Sequence, residues 1–309
     1  MLAPEEEPMT LDELMFKPGL MDGQRILITG GGTGLGKVMA EAFLMLGAAV
    51  YICGRRGGVL EEAAAELTKA HGGGGGKVVP IACDIRVPEA IGEMLDTVWA
   101  DGGALTGLVN NAAGNFISRT EDLSPRGFDA ISNIVFRGSF FVTLDCGKRW
   151  IVEGKSASVV SILTTWVWNG GPYTVPSAMS KAGLNIMTQS LAVEWGPKGI
   201  RLNAIAPGPF PTEGAWARLN PGGGRDSSSS PTNPMGRVGR MPELANLAVF
   251  LLAPGSEYVN GQTIAIDGAA HQAGGGGFSA LRNWTEEQWE AARAAIRGAN
   301  EQDRAKRTV

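Results

Sequence analysis

Seven short apolar runs, closed off by turn-forming residues and separated by stretches with helical spacing, extend along almost the whole chain. They are RILIT (25–29), AAVYIC (48–53), KVVPIA (77–82), ALTGLVN (104–110), ASVVSI (157–162), IRLNAI (200–205) and TIAID (263–267). Helical patterns start near Gly34, continue through LEEAAAELTKA and PEAIGEMLDTVW, and recur over Phe128 to Trp150, Ser177 to Trp195 and around Leu244 to Leu252. A strand with one wet face alternates apolar and polar residues, whereas these runs do not, so both faces of their sheet must be covered. Helices between such strands supply the cover. The expected architecture is α/β, a doubly wound parallel sheet of about seven strands in a single domain, residues 23–270. Residues 1–22 read as an N-terminal extension and 271–309 as a C-terminal extension with one helix. In that helix Thr285 and Gln288 form a capping box, and Trp289, Ala292 and Ile296 line one face that must dock on its own domain or on a neighbouring subunit.

Composition narrows the function classes. The 309 residues are 44% hydrophobic and 19% charged, which supports a packed core and excludes wholesale disorder. With 27 basic against 31 acidic side chains the formal charge is -4, so no general basic field is present to grip nucleic acid. Cys53, Cys83 and Cys146 are scattered, and His71 and His271 are the two histidines of the chain, so neither a disulfide framework nor a metal site is signalled. Such cysteines fit a reducing cytoplasm. MLAPEEEPMTLDELMF is acidic and lacks a basic flank followed by an apolar run, so it does not read as a secretory signal. Ser156 to Ser180 is free of charge but rich in Ser, Thr, Gly and Pro, which argues for a buried strand and an active-site wall, with no membrane span. The glycine clusters HGGGGGK (71–77) and AGGGGF (273–278) read as flexible surface connections, and PGGGRDSSSSPTN (221–233) as either a linker or a lid over a ligand crevice.

The first run leads through Thr29, Gly30, Gly31, Gly32, Thr33, Gly34, Leu35 and Gly36 straight into a helix. Glycines there let the backbone turn tightly beside a pyrophosphate, and the free amides of the helix start supply an anion site. This TGxxxGxG spacing inside a strand-to-helix unit points to a Rossmann-like dinucleotide fold. Where the second strand ends, a carboxylate would accept from an adenosine ribose, but Cys53 and Gly54 are followed by Arg55 and Arg56, which suit a 2′-phosphate. NADP(H) is therefore expected over NAD(H). Asp84, with Ile85 beside it, follows the third strand and is a candidate adenine contact; for Asp84 the alternative is capping the turn into the next helix.

With that loop, Asn110-Asn111-Ala112-Ala113-Gly114 after the fourth strand, Ala206-Pro207-Gly208-Pro209 after the sixth, and Lys181 on the helix after the fifth, the chain resembles the short-chain dehydrogenase/reductase superfamily over about residues 22–270. Within it the chain is similar to the 2,4-dienoyl-CoA reductases of mitochondrial type, in ITGGGTGLGK, NNAAGNFIS, EDLSP, FFVTL, VPSA, SKAG, LAVEWG, PGP and TEEQW. The resemblance implies NADPH-dependent reduction of a conjugated fatty acyl-CoA by a homotetramer. It also implies coenzyme contacts at Asn111, Ala112, Ala113, Gly114, Pro207, Gly208 and Pro209, and a Lys181 that holds the nicotinamide ribose.

The superfamily's usual acid is a tyrosine four residues before the lysine, and Ser177 stands there. An aliphatic hydroxyl is a poorer acid than a phenol, which disfavours ordinary carbonyl/alcohol chemistry. In the dienoyl-CoA reductases a serine there is thought to help hold the thioester carbonyl, and the proton comes from a tyrosine just past a Thr-Thr pair. Here that stretch is Thr164-Thr165-Trp166-Val167-Trp168, with no tyrosine. Tyr173, or water held by Ser177 or Thr164, is left as the proton donor. The family's helix asparagines are replaced by Val135 and Arg137, with Asn133 one turn before Arg137 as a brace, and Arg137 is expected near the site or at a subunit contact. Phe116, Trp166, Trp168 and Phe210 are candidates for an acyl channel or for packing. A ketone/alcohol oxidoreductase with a displaced tyrosine, and a non-catalytic NADP-binding protein, remain as alternatives.

Overall fold

The computed structural model describes residues 8–212, 233–274 and 278–306. Its strands are β1 (Arg25–Thr29), β2 (Ala49–Gly54), β3 (Lys77–Ala82), β4 (Gly107–Asn110), β5 (Ala157–Ile162), β6 (Ile200–Pro207) and β7 (Thr263–Ile266). Between them run α1 (Gly34–Met45), α2 (Gly57–His71), α3 (Pro88–Gly102), α4 (Pro125–Ser132), α5 (Ser139–Glu153), α6 (Trp166–Asn169), α7 (Val175–Trp195) and α8 (Met241–Leu252), followed after β7 by α9 (Ala270–Ala273) and α10 (Glu286–Lys306). All strand pairs are parallel, in the order β3-β2-β1-β4-β5-β6-β7. The order reverses between β1 and β4, which opens a crevice at the carboxyl ends of those strands.

Both faces of the sheet are covered, as the continuous apolar runs require. Ile28, Ile52, Phe43, Leu44 and Val249 pack on one side, and Leu108, Val142, Trp150 and Leu202 on the other. Trp150 is fully buried and still satisfies its indole, which donates to the Leu105 carbonyl at 2.7 Å. The N-terminal segment adds Met9, Leu14 and Met21 to the core. It is strapped down where the Met9 amide donates to Glu41 and the Met15 amide to Asn246. No helix among the described residues is long and apolar enough to cross a membrane.

Two local expectations change. The helix predicted from Phe128 to Trp150 is interrupted between α4 and α5 by a π-helical turn, Asn133–Gly138. The wider turn buries Val135 and Gly138 while leaving Phe136 at 45% exposure. It also lets Gly138 approach β3's exit so closely that a Cβ there would sit 2.8 Å from Ile85 Cγ1. The 71–77 glycine cluster is not simply a loose connection, because a Cβ on Gly76 would lie 2.7 Å from the Ala48 carbonyl oxygen and 2.8 Å from that of Leu44. Most of the 221–233 stretch, and Gly275–Gly277 of the other cluster, lie outside the described residues.

Candidate active site

The crevice between β1 and β4 is stitched by side chains from both strands. Thr29 Oγ1 accepts from the Asn111 and Ala112 amides at 3.0 and 2.9 Å, and Asn111 Nδ2 donates back to the Thr29 and Gly30 carbonyls at 3.0 and 3.1 Å. Gly30 makes the turn with φ +67°. Gly36 packs so tightly under it that a Cβ would overlap the Gly30 carbonyl oxygen and come within 2.5 Å of Asn111 Nδ2. Thr33, the N-cap of α1, makes no side-chain capping bond, so the first amides of α1 stay available to an anion. A cradle that admits only glycine, beside uncapped amides, fits a dinucleotide's pyrophosphate.

β1 and β2 end level, with Thr29 opposite Cys53, so Arg55 and Arg56 emerge beside the glycine loop. Both are exposed, and neither guanidinium makes a hydrogen bond or ion pair among the described residues, although the Arg55 charge acts on Asp84. Asp84 is already engaged: it accepts from the Arg86 amide at 3.1 Å, from Arg86 Nε at 2.9 and 3.0 Å and from Nη2 at 2.5 Å. Those bonds hold its carboxyl below the usual range. The geometry thus realises the turn-capping role, closing the bend before α3, and the Ile85 side chain is buried against Gly138.

Lys181 and Ser177 lie one turn apart on α7, each only 5% exposed. The Lys181 ammonium donates to the Ile162 carbonyl at the end of β5. Among the described residues no carboxylate pairs with it, and burial lowers its pKa to about 8. Thr164, two residues past β5, is half-buried, and its carbonyl accepts from the Val167 amide at 3.2 Å. On β6's exit, the Gly208 amide donates to Ile266 at 3.0 Å and the Pro209 carbonyl accepts from Gly239 at 3.0 Å, which fixes the Pro207-Gly208-Pro209 turn. Tyr173 adopts φ +62°, and its carbonyl accepts from the Ser118 amide at 2.9 Å. Its side chain points outward, 63% exposed.

The four aromatic candidates do not form one wall. Phe116 and Trp166 are half-buried, packed close to Gly127 and Gly171 respectively. Phe210 is 8% exposed and lies in the core, where a Cβ on Gly239 would overlap its ring. Phe210 also lines a cavity with Asn233, Met235 and Asp267, whereas Trp168 sits on α6 at 45% exposure. Val135 is sealed among Leu163, Leu184 and Met187. Arg137 is exposed, donating to the Arg86 carbonyl at 2.7 Å with its guanidinium 4.9 Å from the Phe141 ring centroid. Sequence reading passes over one polar pair at the carboxyl end of β7: Asp267 and His271, four residues apart. Their i,i+4 spacing was the available signal.

A family model described as Enoyl-(Acyl carrier protein) reductase matches residues 30–271. The chain is 41% identical over 296 residues to a probable 2,4-dienoyl-CoA reductase, (3E)-enoyl-CoA-producing, of Caenorhabditis elegans, covering 94% of this chain and 95% of that protein. Among solved structures, a citronellol catabolism dehydrogenase of Pseudomonas aeruginosa superposes with TM-score 0.72 at 35% identity, covering 84% of this chain and all of that one (100%). A 3-ketoacyl-(acyl-carrier-protein) reductase of Brucella melitensis, complexed with NADH, gives TM-score 0.73 at 25% identity over 81% of this chain and 99% of that one.

Proposed function

Because this chain belongs to the short-chain dehydrogenase/reductase superfamily, and is therefore an oxidoreductase using a nicotinamide coenzyme, we propose that it is an NADPH-dependent reductase of conjugated fatty acyl-CoA thioesters. The observation that carries this reading is the Ser177–Lys181 pair: a buried hydroxyl one turn from a buried cation, where carbonyl reduction would use a phenol. The bound coenzyme supplies hydride to the unsaturated chain. Gly30, Thr33, Gly34, Leu35 and Gly36 hold its pyrophosphate, Asn111, Ala112, Ala113, Gly114, Pro207, Gly208 and Pro209 wall its crevice, and Arg55 and Arg56 take the 2′-phosphate. Lys181 binds the ribose hydroxyls. Ser177 and Thr164 donate to the thioester oxygen, whose negative charge grows as hydride arrives at the far end of the conjugated system. Phe116 and Trp166 contact the acyl chain.

The exposed side chain of Tyr173 favours water held by Ser177 or Thr164 as the proton source. Tyr173→Phe should therefore keep the rate within about twofold, whereas a tenfold loss would assign the proton to the phenol. The homologue's name supports the acyl-CoA substrate. The partly uncovered face of α10, with Ile296 61% exposed, supports burial in a homotetramer. Three free, buried cysteines suit a reducing cytoplasm.

The test is NADPH consumption followed at 2,4-dienoyl-CoA, 2-enoyl-CoA and simple ketones in parallel. Turnover of the dienoyl thioester is expected. Turnover of ketones alone would move the assignment to a ketone/alcohol oxidoreductase. Replacing Arg55 and Arg56 by alanine should weaken NADPH at least tenfold and leave NADH nearly unchanged, since two charge-assisted contacts are lost. An unaltered preference between the coenzymes would remove the phosphate role.

A further inference from the structure

Asp267 leaves the carboxyl end of β7 almost fully buried, 7% exposed, with both oxygens committed. Oδ1 accepts from the Ala269 amide at 3.0 Å, and Oδ2 accepts from the amide and ring Nδ1 of His271 at 2.8 and 2.7 Å. A carboxylate only accepts here, so Nδ1 carries the hydrogen and the ring's orientation is set by the acid. Between them Ala269 adopts φ +65°, a left-handed conformation that a residue with a Cβ disfavours. Such strain persists where surrounding bonds over-determine the turn. The bonds to Asp267 do so, and what they present is the imidazole.

That imidazole lies nearly flat on Trp168, with ring centroids 4.7 Å apart and planes inclined 22°. Trp168 stands four residues after Thr164, on α6. The Asp267 carbonyl also accepts from Asn233 Nδ2 at 2.7 Å, and Gly208 crosses Asp267 so closely that a Cβ would be 2.7 Å from the Asp267 Cβ. The segments leaving β5, β6 and β7 therefore meet at the Asp267–His271 pair.

We infer that Asp267 and His271 form a clamp that positions the candidate active site, holding Trp168 and through it the Thr164–Asn169 segment at the edge of the substrate cleft. His271 is a positioning residue, acting on substrate through that segment. The role rests on the reading of Thr164 as a thioester contact, while the clamp itself is independent of any substrate.

The experiment compares wild type with His271→Ala and His271→Phe in two readouts, using Trp168→Phe to isolate the Trp168 fluorescence by difference. In the first, His271→Ala should increase acrylamide quenching of the Trp168 signal, and His271→Phe, whose planar ring still stacks, should restore protection. In the second, His271→Ala should raise KM for a 2,4-dienoyl-CoA about tenfold, with coenzyme Kd within about twofold, and His271→Phe should recover most of the loss. Unchanged quenching in His271→Ala overturns the clamp. Equal rises in thioester KM and coenzyme Kd, or a His271→Phe enzyme as impaired as His271→Ala, overturn the positioning role. A wild type that turns over no dienoyl thioester refutes the proposed substrate class and leaves the quenching comparison to decide the clamp.

Discussion

Lys181 is held as an ammonium against one backbone carbonyl, and burial brings its pKa to about 8. An unfolded lysine titrates near 10.4, so between those values the unfolded chain keeps a proton that the native protein has released. Stability therefore rises with pH across that window, and below pH 8 the full desolvation cost is borne. Burial of the Cys53 and Cys146 thiols works the other way, because it raises their pKa values while unfolded thiols ionise. The informative quantity is accordingly the difference between wild type and Lys181→Met. In coenzyme-free protein Lys181→Met should be more stable by about 2 to 3 kcal/mol at pH 7, a gap that narrows as pH approaches 10, measured by urea unfolding. A gap that stays constant with pH would show that the ammonium is not desolvated. Gly36→Ala should weaken coenzyme binding at least a hundredfold in calorimetry, since its Cβ meets a backbone carbonyl with no room to move. The glycine loop and Lys181 were legible because backbone approach and cation placement depend on residue type and spacing. The sequence offered Asp84 a turn-capping alternative and set Asp267 and His271 at i,i+4, but that Asp84 takes Arg86 as its partner and that the His271 ring turns onto Asp267 depend on which of several rotamers a turn selects.

At the scale of elements, all seven strands lie where the apolar runs place them, because a strand buried on both faces leaves an unbroken signature. The β4 strand begins later than the run, at Gly107, although the Thr106 amide already donates to the Arg25 carbonyl at 2.9 Å and its carbonyl accepts from the Ser158 amide at 3.0 Å. The π turn escaped prediction because Asn133–Gly138 carries no proline, and one extra residue per turn barely disturbs helical spacing. The Gly72–Gly76 run shows that equal composition conceals unequal roles. A Cβ at Gly73 meets nothing within 4 Å, whereas at Gly76 it presses on two backbone carbonyls. Gly76→Ala should lower stability by about 1 to 3 kcal/mol and Gly73→Ala should change it by no more than about 0.5 kcal/mol, read from denaturant midpoints. Equal midpoints for the two variants would mean that the β2–β3 connection yields freely.

For the molecule as a whole, the tail helix α10 starts with the capping box anticipated from sequence: the Thr285 amide donates to Gln288 Oε1 at 2.9 Å and the Gln288 amide to Thr285 Oγ1 at 3.4 Å. Its apolar stripe is only partly covered: Trp289, 37% exposed, packs edge-on against Trp284 with ring centroids 5.0 Å apart, and Ile296 stays 61% exposed. Under the proposed homotetramer, Ile296→Glu should shift sedimentation toward smaller species while preserving circular dichroism. A wild type sedimenting as a monomer would contradict the assembly.

The most direct measurement of the central claim is calorimetric titration of the purified chain with NADP+ and with NAD+, because cradle, arginines and Lys181 are all assigned through the same ligand. One site per chain is predicted, with NADP+ bound at least tenfold more tightly, a margin of about 1.4 kcal/mol. Tighter binding of NAD+ would contradict the 2′-phosphate assignment, and no binding of either coenzyme would contradict the account at its base.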